Sequence, residues 1–395
     1  MSNQFDVVII GAGAAGLMCA AEAGKRGRTV LLVDHAKKPG RKILISGGGR
    51  CNFTNYDVSA NNFLCKNPHF VKSALSQYTN WDFISLVSKH GIEFEEREHG
   101  QLFCVDSAKQ IVRMLLDECQ LDSVTQRYQA NITRVEQNET GFTLDIDSDV
   151  IECQSLVVAT GGLSMPKLGA TPYGYKIAEQ FGLPVIPTTA GLVPFTLHNK
   201  DKDDLAGLSG VALPTEVTTQ DGTLFKEALL FTHRGLSGPS ILQVSSFWKP
   251  GQSVSINLIP NDDVELLLIE SREKHPNQSL KNTLAKVLPK RLVEVLIERK
   301  EFIDKPLKQL TPKEQEAIVS LLENWKVAPN GTEGYRTAEV TLGGVDTDCV
   351  SSKTMECKSV SGLYFIGEVM DVSGWLGGYN FQWAWSSGFV AGQWV

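Results

Sequence analysis

Gly11-Ala12-Gly13-Ala14-Ala15-Gly16 places three glycines at the spacing that lets a main chain close on a diphosphate. Gly11 allows a tight turn, Gly13 leaves room for the diphosphate, and Gly16 lets a helix pack on the strand before it. Ala14 and Ala15 open that helix, whose free N–H groups face the anion. Asp34 follows Gly16 by 18 residues, where a carboxylate can accept both hydroxyls of an adenosine ribose and would repel a 2′-phosphate. His35 stands next to it. Further on, Arg41, Lys42, Ser46, Gly47, Gly48, Gly49, Arg50, Cys51 and Asn52 combine consecutive glycines with flanking cations. Such a loop can wrap an extended anionic ligand, although a basic surface loop reads the same way. Ala159-Thr160-Gly161 closes a later apolar run, and Gly367-Glu368 closes another. A carboxylate at that second turn can hold the hydroxyls of a polyol chain. Gly378-Tyr379-Asn380 precedes a helix-like segment, whose N-terminus can stabilise negative charge on a bound ligand.

These groups need rigid elements behind them. Residues 5–10 (FDVVII) read as a buried parallel strand, 17–26 as an alanine-rich helix ended by Gly27, and 29–33 as a second strand closed by Asp34. Residues 128–135 and 141–146 read as strands of a small antiparallel layer. Residues 155–159 and 362–366 read as further buried strands. From about Gly191 the texture changes: 192–196, 213–218, 224–231 and 253–258 are β-like runs separated by Gly, Pro and Asp. From 262 to 325 the pattern is helical, with Thr311-Pro312-Lys313-Glu314 as a capping box and Pro289 opening another helix.

The stretches GRKILISGGGRCNFTN (40–55), ATGGLSMPKLGATPYGY (159–175), LLFTHRGLSGP (229–239), GTEGYRTAEVTLGGVD (331–346) and GLYFIGEVMDVSGWLGGYNFQWAWSSG (362–388) run from end to end of the chain. Together with the cradle they resemble the bacterial YhiN/BaiN-like flavoproteins, which include aminoacetone-oxidase-like members and share the glutathione-reductase-type FAD fold. The resemblance implies an α/β, Rossmann-like FAD domain that is discontinuous, formed by residues 1–190 and 345–395. A β-rich insert (191–261 and 331–344) and a helical insert (262–330) would interrupt it. It implies noncovalent FAD, with Asn131, Ile132 and Val135 where similar proteins contact adenine through the backbone. Glu368 departs from the many relatives that carry Asp. The resemblance also implies an FAD-dependent oxidoreductase or oxidase that moves a hydride to or from flavin N5.

The substrate side is less marked. His233 lies in a glycine-punctuated segment with Arg234 and Ser237, which equally fits a hydrogen-bonded turn. Arg336 beside Tyr335 suits a substrate carboxylate or a brace at a domain hinge. Trp375 and Tyr379 are further pocket candidates. No second strand–GxGxxG–helix unit follows, so NAD(P)H is expected only as a transient reductant. The net charge of −7 disfavours general affinity for phosphate backbones, so no nucleic acid is expected, and the resemblance implies a small-molecule substrate. An RNA-modifying or RNA-binding flavoprotein and a non-catalytic flavin sensor are the alternatives. The eight cysteines include no CxxC pair, so no metal is expected, and Cys51 reads as a packing thiol. The apolar stretch 7–21 lacks a basic leader and is too short to span a bilayer. We therefore expect no membrane partner and a cytoplasmic location.

Overall fold

The computed structural model describes residues 3–395. The chain divides into two compact units, Met1–Thr189 with Val340–Val395, and Ala190–Glu339. In the first unit β1 (Gln4–Ile10) runs into α1 (Ala14–Lys25) and then β2 (Val30–Asp34). Val7, Val8 and Ile9 are fully buried, as expected for a strand covered on both faces. A one-turn helix, α2 (Arg41–Ile45), follows. Next in this sheet come β3 (Val124–Tyr128), β4 (Ile132–Asn138), β5 (Gly141–Ile146), β6 (Asp149–Val158) and β7 (Leu363–Phe365).

The strands order as β3-β2-β1-β6-β5-β4, with β7 also pairing β6. β3, β2, β1, β6 and β7 are parallel to their neighbours, with Val7 opposite both Val30 and Ser155, and Leu156 opposite Leu363. β6 changes partner along its length: residues 149–153 pair antiparallel with β5. The antiparallel layer thus begins at Ile132 rather than Tyr128, and Tyr128 ends a parallel strand instead.

The last helix, α3 (Tyr379–Trp394), packs on α1. A Cβ on Gly388 would lie 2.5 Å from the Ala15 carbonyl oxygen, and one on Gly392 would lie 2.6 Å from Glu22 Cβ. The alanines of α1 and glycines of α3 are what let these helices approach so closely. Trp383 and Trp385 are buried, their indole N–H groups donating to the carbonyls of Gly367 (3.1 Å) and Phe53 (2.8 Å).

The second unit is a seven-stranded antiparallel sheet. Its strands include Phe195–Thr196, Ala212–Thr218, Leu224–Phe231 and Val254–Asn257. Trp325–Val327 adds to its edge against Val254–Asn257, ending the stretch read as helical. Among its helices, Pro312–Glu323 carries the capping box: Glu314 accepts from the Thr311 N–H at 2.9 Å, and Thr311 accepts from the Glu314 N–H at 3.3 Å. Pro289 caps Lys290–Glu298. Among the described residues no helix is long and apolar enough to cross a membrane.

Candidate dinucleotide-binding site

The cradle lies where β1 and β6 end side by side. Gly11 N–H donates to Val33 O at 2.8 Å, and Ala159 N–H donates to Ile10 O at 2.8 Å. Gly11 has φ +112°, and a Cβ there would meet Ala159 O at 2.4 Å. A Cβ on Gly16 would lie 1.8 Å from Gly11 O, whereas one on Gly13 meets nothing within 4 Å. Two glycines are therefore required by the protein itself, and the third opens onto free space. α1 begins there with no side-chain cap and no acid in its first turn, so its N–H groups are available to a diphosphate. This is the fit that a dinucleotide requires.

Asp34 shapes the same turn. Its two carboxylate oxygens accept the N–H groups of Ala12 and Ala36, both at 2.7 Å. Each oxygen retains acceptor capacity for a ribose hydroxyl. The His35 ring stands 3.6 Å from Asp34, mostly exposed. Ala130 N–H donates to Asp34 O at 3.0 Å, which places residues 129–130 beside this end of the cradle. Asn131 is exposed and its N–H donates to Asp147, and Ile132 is paired to Ile146. Val135 is buried in the hairpin with its carbonyl accepting from Gln180 at 2.6 Å. It is not available to an adenine ring.

The glycine-rich segment is partly helical rather than a loop, because Arg41 and Lys42 sit in α2. Gly40 N–H ties it to Ala12 O at 2.9 Å. After Ser46, Gly47, Gly48 and Gly49 have φ of +55°, +66° and +87°, a run of left-handed residues that only glycine adopts freely. A Cβ on Gly47 would strike the Phe103 ring at 2.7 Å, while Gly48 is open. Arg50 pairs with Glu95 at 3.5 Å. Cys51 is fully buried and burial pushes its thiol up. It is a packing thiol, as are Cys19 and Cys119. All eight cysteines are free.

Across the cradle the Thr160 hydroxyl is buried without a hydrogen-bond partner, and Gly161 opens onto free space with φ +72°. Beside them is a polar network. Lys42 Nζ donates to Glu368 at 2.6 Å and to Ser164 at 2.7 Å. The Ser164 hydroxyl donates to Glu368 at 3.1 Å, and Thr341 N–H donates to Glu368 at 3.0 Å. The Thr341 hydroxyl in turn accepts the N–H groups of Leu163 and Ser164 at 2.8 and 3.1 Å. Glu368 is thus held by Lys42 and by strand backbone rather than standing free for a ribityl chain. Sequence reasoning did not single out Ser164 and Thr341. Both lie inside the quoted stretches, but nothing local marks residues that meet across more than 170 positions.

At the other rim, a Cβ on Gly378 would lie 2.4 Å from Thr54 O. The Asn380 amide is engaged with Gly374, accepting from its N–H and donating to its carbonyl, both at 2.8 Å. Any ligand contact from Asn380 would have to come from its backbone. Tyr379 is buried edge-on against Phe63, centroids 6.2 Å apart. Gly367 N–H donates to Ser387 at 3.0 Å. In the second unit His233 and Arg336 are both exposed. The structured cation of that segment is Arg234, which pairs with Glu333 at 2.9 Å. Thr232 accepts from the N–H groups of Arg234 and Gly235. The turn is real, and His233 is carried on it.

Residues 5–394 match the family model of the HI0933-like protein Rossmann domain. The chain is 63% identical to a ribosomal RNA dihydrouridine synthase of Escherichia coli, over 99% of this chain and 98% of that protein. It is 54% identical to a protein of the same name from Haemophilus influenzae, again over 99% and 98%. In fold it is similar to a 3-ketosteroid-delta4-(5alpha)-dehydrogenase from Rhodococcus jostii, at TM-score 0.50 and 13% identity, covering 98% of this chain and 97% of that one. Both relatives' names specify an RNA substrate. They overturn the expectation of a small-molecule substrate and no nucleic acid. The expectation of no nucleic acid rested on net charge, which averages over a surface and does not see a local basic region, and the small-molecule substrate rested on the family resemblance alone.

Proposed function

The chain belongs to the HI0933-like Rossmann family of FAD-dependent oxidoreductases, and from that premise we propose that it reduces uridine to dihydrouridine in ribosomal RNA. The observation that carries this reading is the end-to-end identity of 63% to a relative of that name. The match covers 99% of this chain and 98% of that protein.

Bound and reduced, the flavin supplies a hydride; C6 of uracil, conjugated to the C4 carbonyl, accepts it, and C5 then takes a proton. The residues of this chain do the holding. Gly11, Gly13, Gly16 and the first N–H groups of α1 take the FAD diphosphate, and Asp34 takes the adenosine ribose. Thr160, with its unpartnered hydroxyl, and Gly161 line the next part of the path. The Lys42–Glu368–Ser164 network, a neutralised ion pair with a hydroxyl between its partners, fixes the floor beside them. The flavin is held noncovalently in this reading, and Cys51, buried beside the segment, serves packing. A nicotinamide visiting transiently would renew the hydride, so that one NAD(P)H and one proton are consumed per uridine reduced. His233 and Arg336 are proposed substrate contacts on the second unit.

Purified holoprotein, NADPH and ribosomal RNA from cells lacking this activity test the reading. We expect nucleoside mass spectrometry to show uridine gaining two hydrogen atoms at a defined position. A protein whose flavin bleaches and reoxidises normally, yet leaves that RNA unchanged, sinks it. His233→Ala and Arg336→Ala should each slow modification while leaving flavin bleaching by NADPH as it was.

A further inference from the structure

Residues 35–50 contain five cations, Lys37, Lys38, Arg41, Lys42 and Arg50, and no aspartate or glutamate. Lys42 is neutralised by Glu368 and Arg50 by Glu95. Among the described residues Lys37, Lys38 and Arg41 have no carboxylate at ion-pair distance, and both lysines are exposed. A second segment brings another cation to the same place. Arg41 Nη2 donates to Lys167 O at 3.5 Å. A Cβ placed on Gly169 would lie 2.9 Å from His35 Nε2 and 3.3 Å from Arg41 Nη1. Residues 160–178 contain no acid, and Lys167 is exposed.

The carrying loop is fixed rather than loose. Ala36 O accepts from Gln129 N–H at 3.1 Å and Gly40 N–H donates to Ala12 O at 2.9 Å. Cations carried close in sequence on a pinned loop repel one another, and Lys37, Lys38 and Lys167 have no carboxylate at ion-pair distance among the described residues to offset it. An external polyanion relieves that repulsion. Lysine ammonium groups meet phosphates as point charges, without reading sequence. Arg41 abuts the cradle and is left to the cofactor diphosphate.

We propose that Lys37, Lys38 and Lys167 form a contact surface for the sugar–phosphate backbone of a single-stranded RNA segment. This rests on the reading above, which requires a uridine free of its stack so that a ring face can be reached. The strand lies across the rim of the cradle, and the three lysines set its position without selecting its bases.

The test is the salt dependence of binding. Holoprotein and the triple variant Lys37→Gln, Lys38→Gln, Lys167→Gln are titrated against labelled polyuridylate over a salt series, with fluorescence anisotropy as the readout. Each single-strand phosphate contact contributes about 0.7 to the slope of log K against log salt, so three lost contacts should reduce it by about 2. At about 0.1 M salt that corresponds to roughly a hundred-fold weaker binding. Flavin content and bleaching by NADPH should be unchanged. An unaltered slope overturns the proposal. So does loss of flavin from the variant, which would assign these lysines to the cofactor. Loss of binding to anionic lipid vesicles with none on polyuridylate would also overturn it. Dihydrouridine formation by the unmodified protein is scored separately, so its absence sinks the functional reading and leaves the slope comparison standing.

Discussion

A Cβ on Gly16 would lie 1.8 Å from the Gly11 carbonyl oxygen, whereas one on Gly13 would meet nothing within 4 Å. The same motif therefore contains two different requirements, and substitution separates them. Gly16→Ala forces backbone apart where α1 meets the turn, and should cost about 1–3 kcal/mol or more, read as a lowered thermal midpoint of the flavin-free protein. Gly13→Val should leave that midpoint nearly unchanged, since its side chain enters open space, yet strip the protein of flavin, because that space is the one the diphosphate needs. Full flavin occupancy in soluble Gly13→Val would contradict the site. The motif was legible because its logic is local, a strand, three glycines and a helix in order. The Lys42–Glu368 pair was not, since it joins residues 326 positions apart, and nothing in either neighbourhood announces the other. The aromatic run after Gly378 was ambiguous for the same reason. Tyr379 at the helix start fits a pocket or a core equally, and its burial edge-on against Phe63, centroids 6.2 Å apart, shows it to be core.

At the scale of elements, one carboxylate fastens three helices. Glu118, at the end of Lys109–Glu118, is only 8% exposed. It accepts from Lys25 of α1 at 2.7 Å, from His90 at 2.7 Å and from Lys89 at 3.2 Å, the last two at the end of Asn80–Lys89. Burial alone would raise its carboxyl, but hydrogen bonds from Lys25 and His90 hold it down at about 2, against an ordinary value of 4.5. A group whose folded value is depressed contributes stability above its unfolded value, and loses it as pH falls through the folded one. The contribution is therefore intact above about pH 5 and disappears between there and pH 2. Solvent beside Lys89 screens it to on the order of 1–2 kcal/mol. Glu118→Gln should lower the thermal midpoint at pH 7 and bring the two proteins together below pH 3. Parallel curves across that range would show that the clasp is not what titrates. Sequence reading found elements whose signals sit inside them, such as the Thr311–Glu314 capping box. It missed the α2 turn because Gly47, Gly48 and Gly49 dominated their surroundings, although Arg41–Ile45 is itself a plain helical run.

For the whole molecule, net charge was the misleading quantity. An excess of seven acids describes the average surface, while the RNA reading needs only a few unpaired lysines at one rim. The division into units supports a stronger test. The strands Val185–Gly191 and Val340–Val345 pair with each other. Asp346 N–H reaches Pro184 O at 3.0 Å, and a Cβ on Gly343 would meet Pro187 O at 2.5 Å. These contacts advance along one strand as they retreat along the other, so the pair is antiparallel, and residues 189 and 340 end side by side at about 5 Å, the spacing of neighbouring strands. A two-residue Asn-Gly turn closes such a pair. Replacing residues 190–339 by that turn keeps every group assigned to the cofactor, together with residues 185–189 of the first strand and the whole of Val340–Val345 beside the network around Thr341. We expect a soluble, yellow protein whose flavin is bleached by NADPH but which leaves ribosomal RNA unmodified. A shortened chain that still forms dihydrouridine at the original rate would show that His233, Arg336 and their whole unit are dispensable to the substrate. A soluble but colourless one would show that the cradle depends on the unit it was built around.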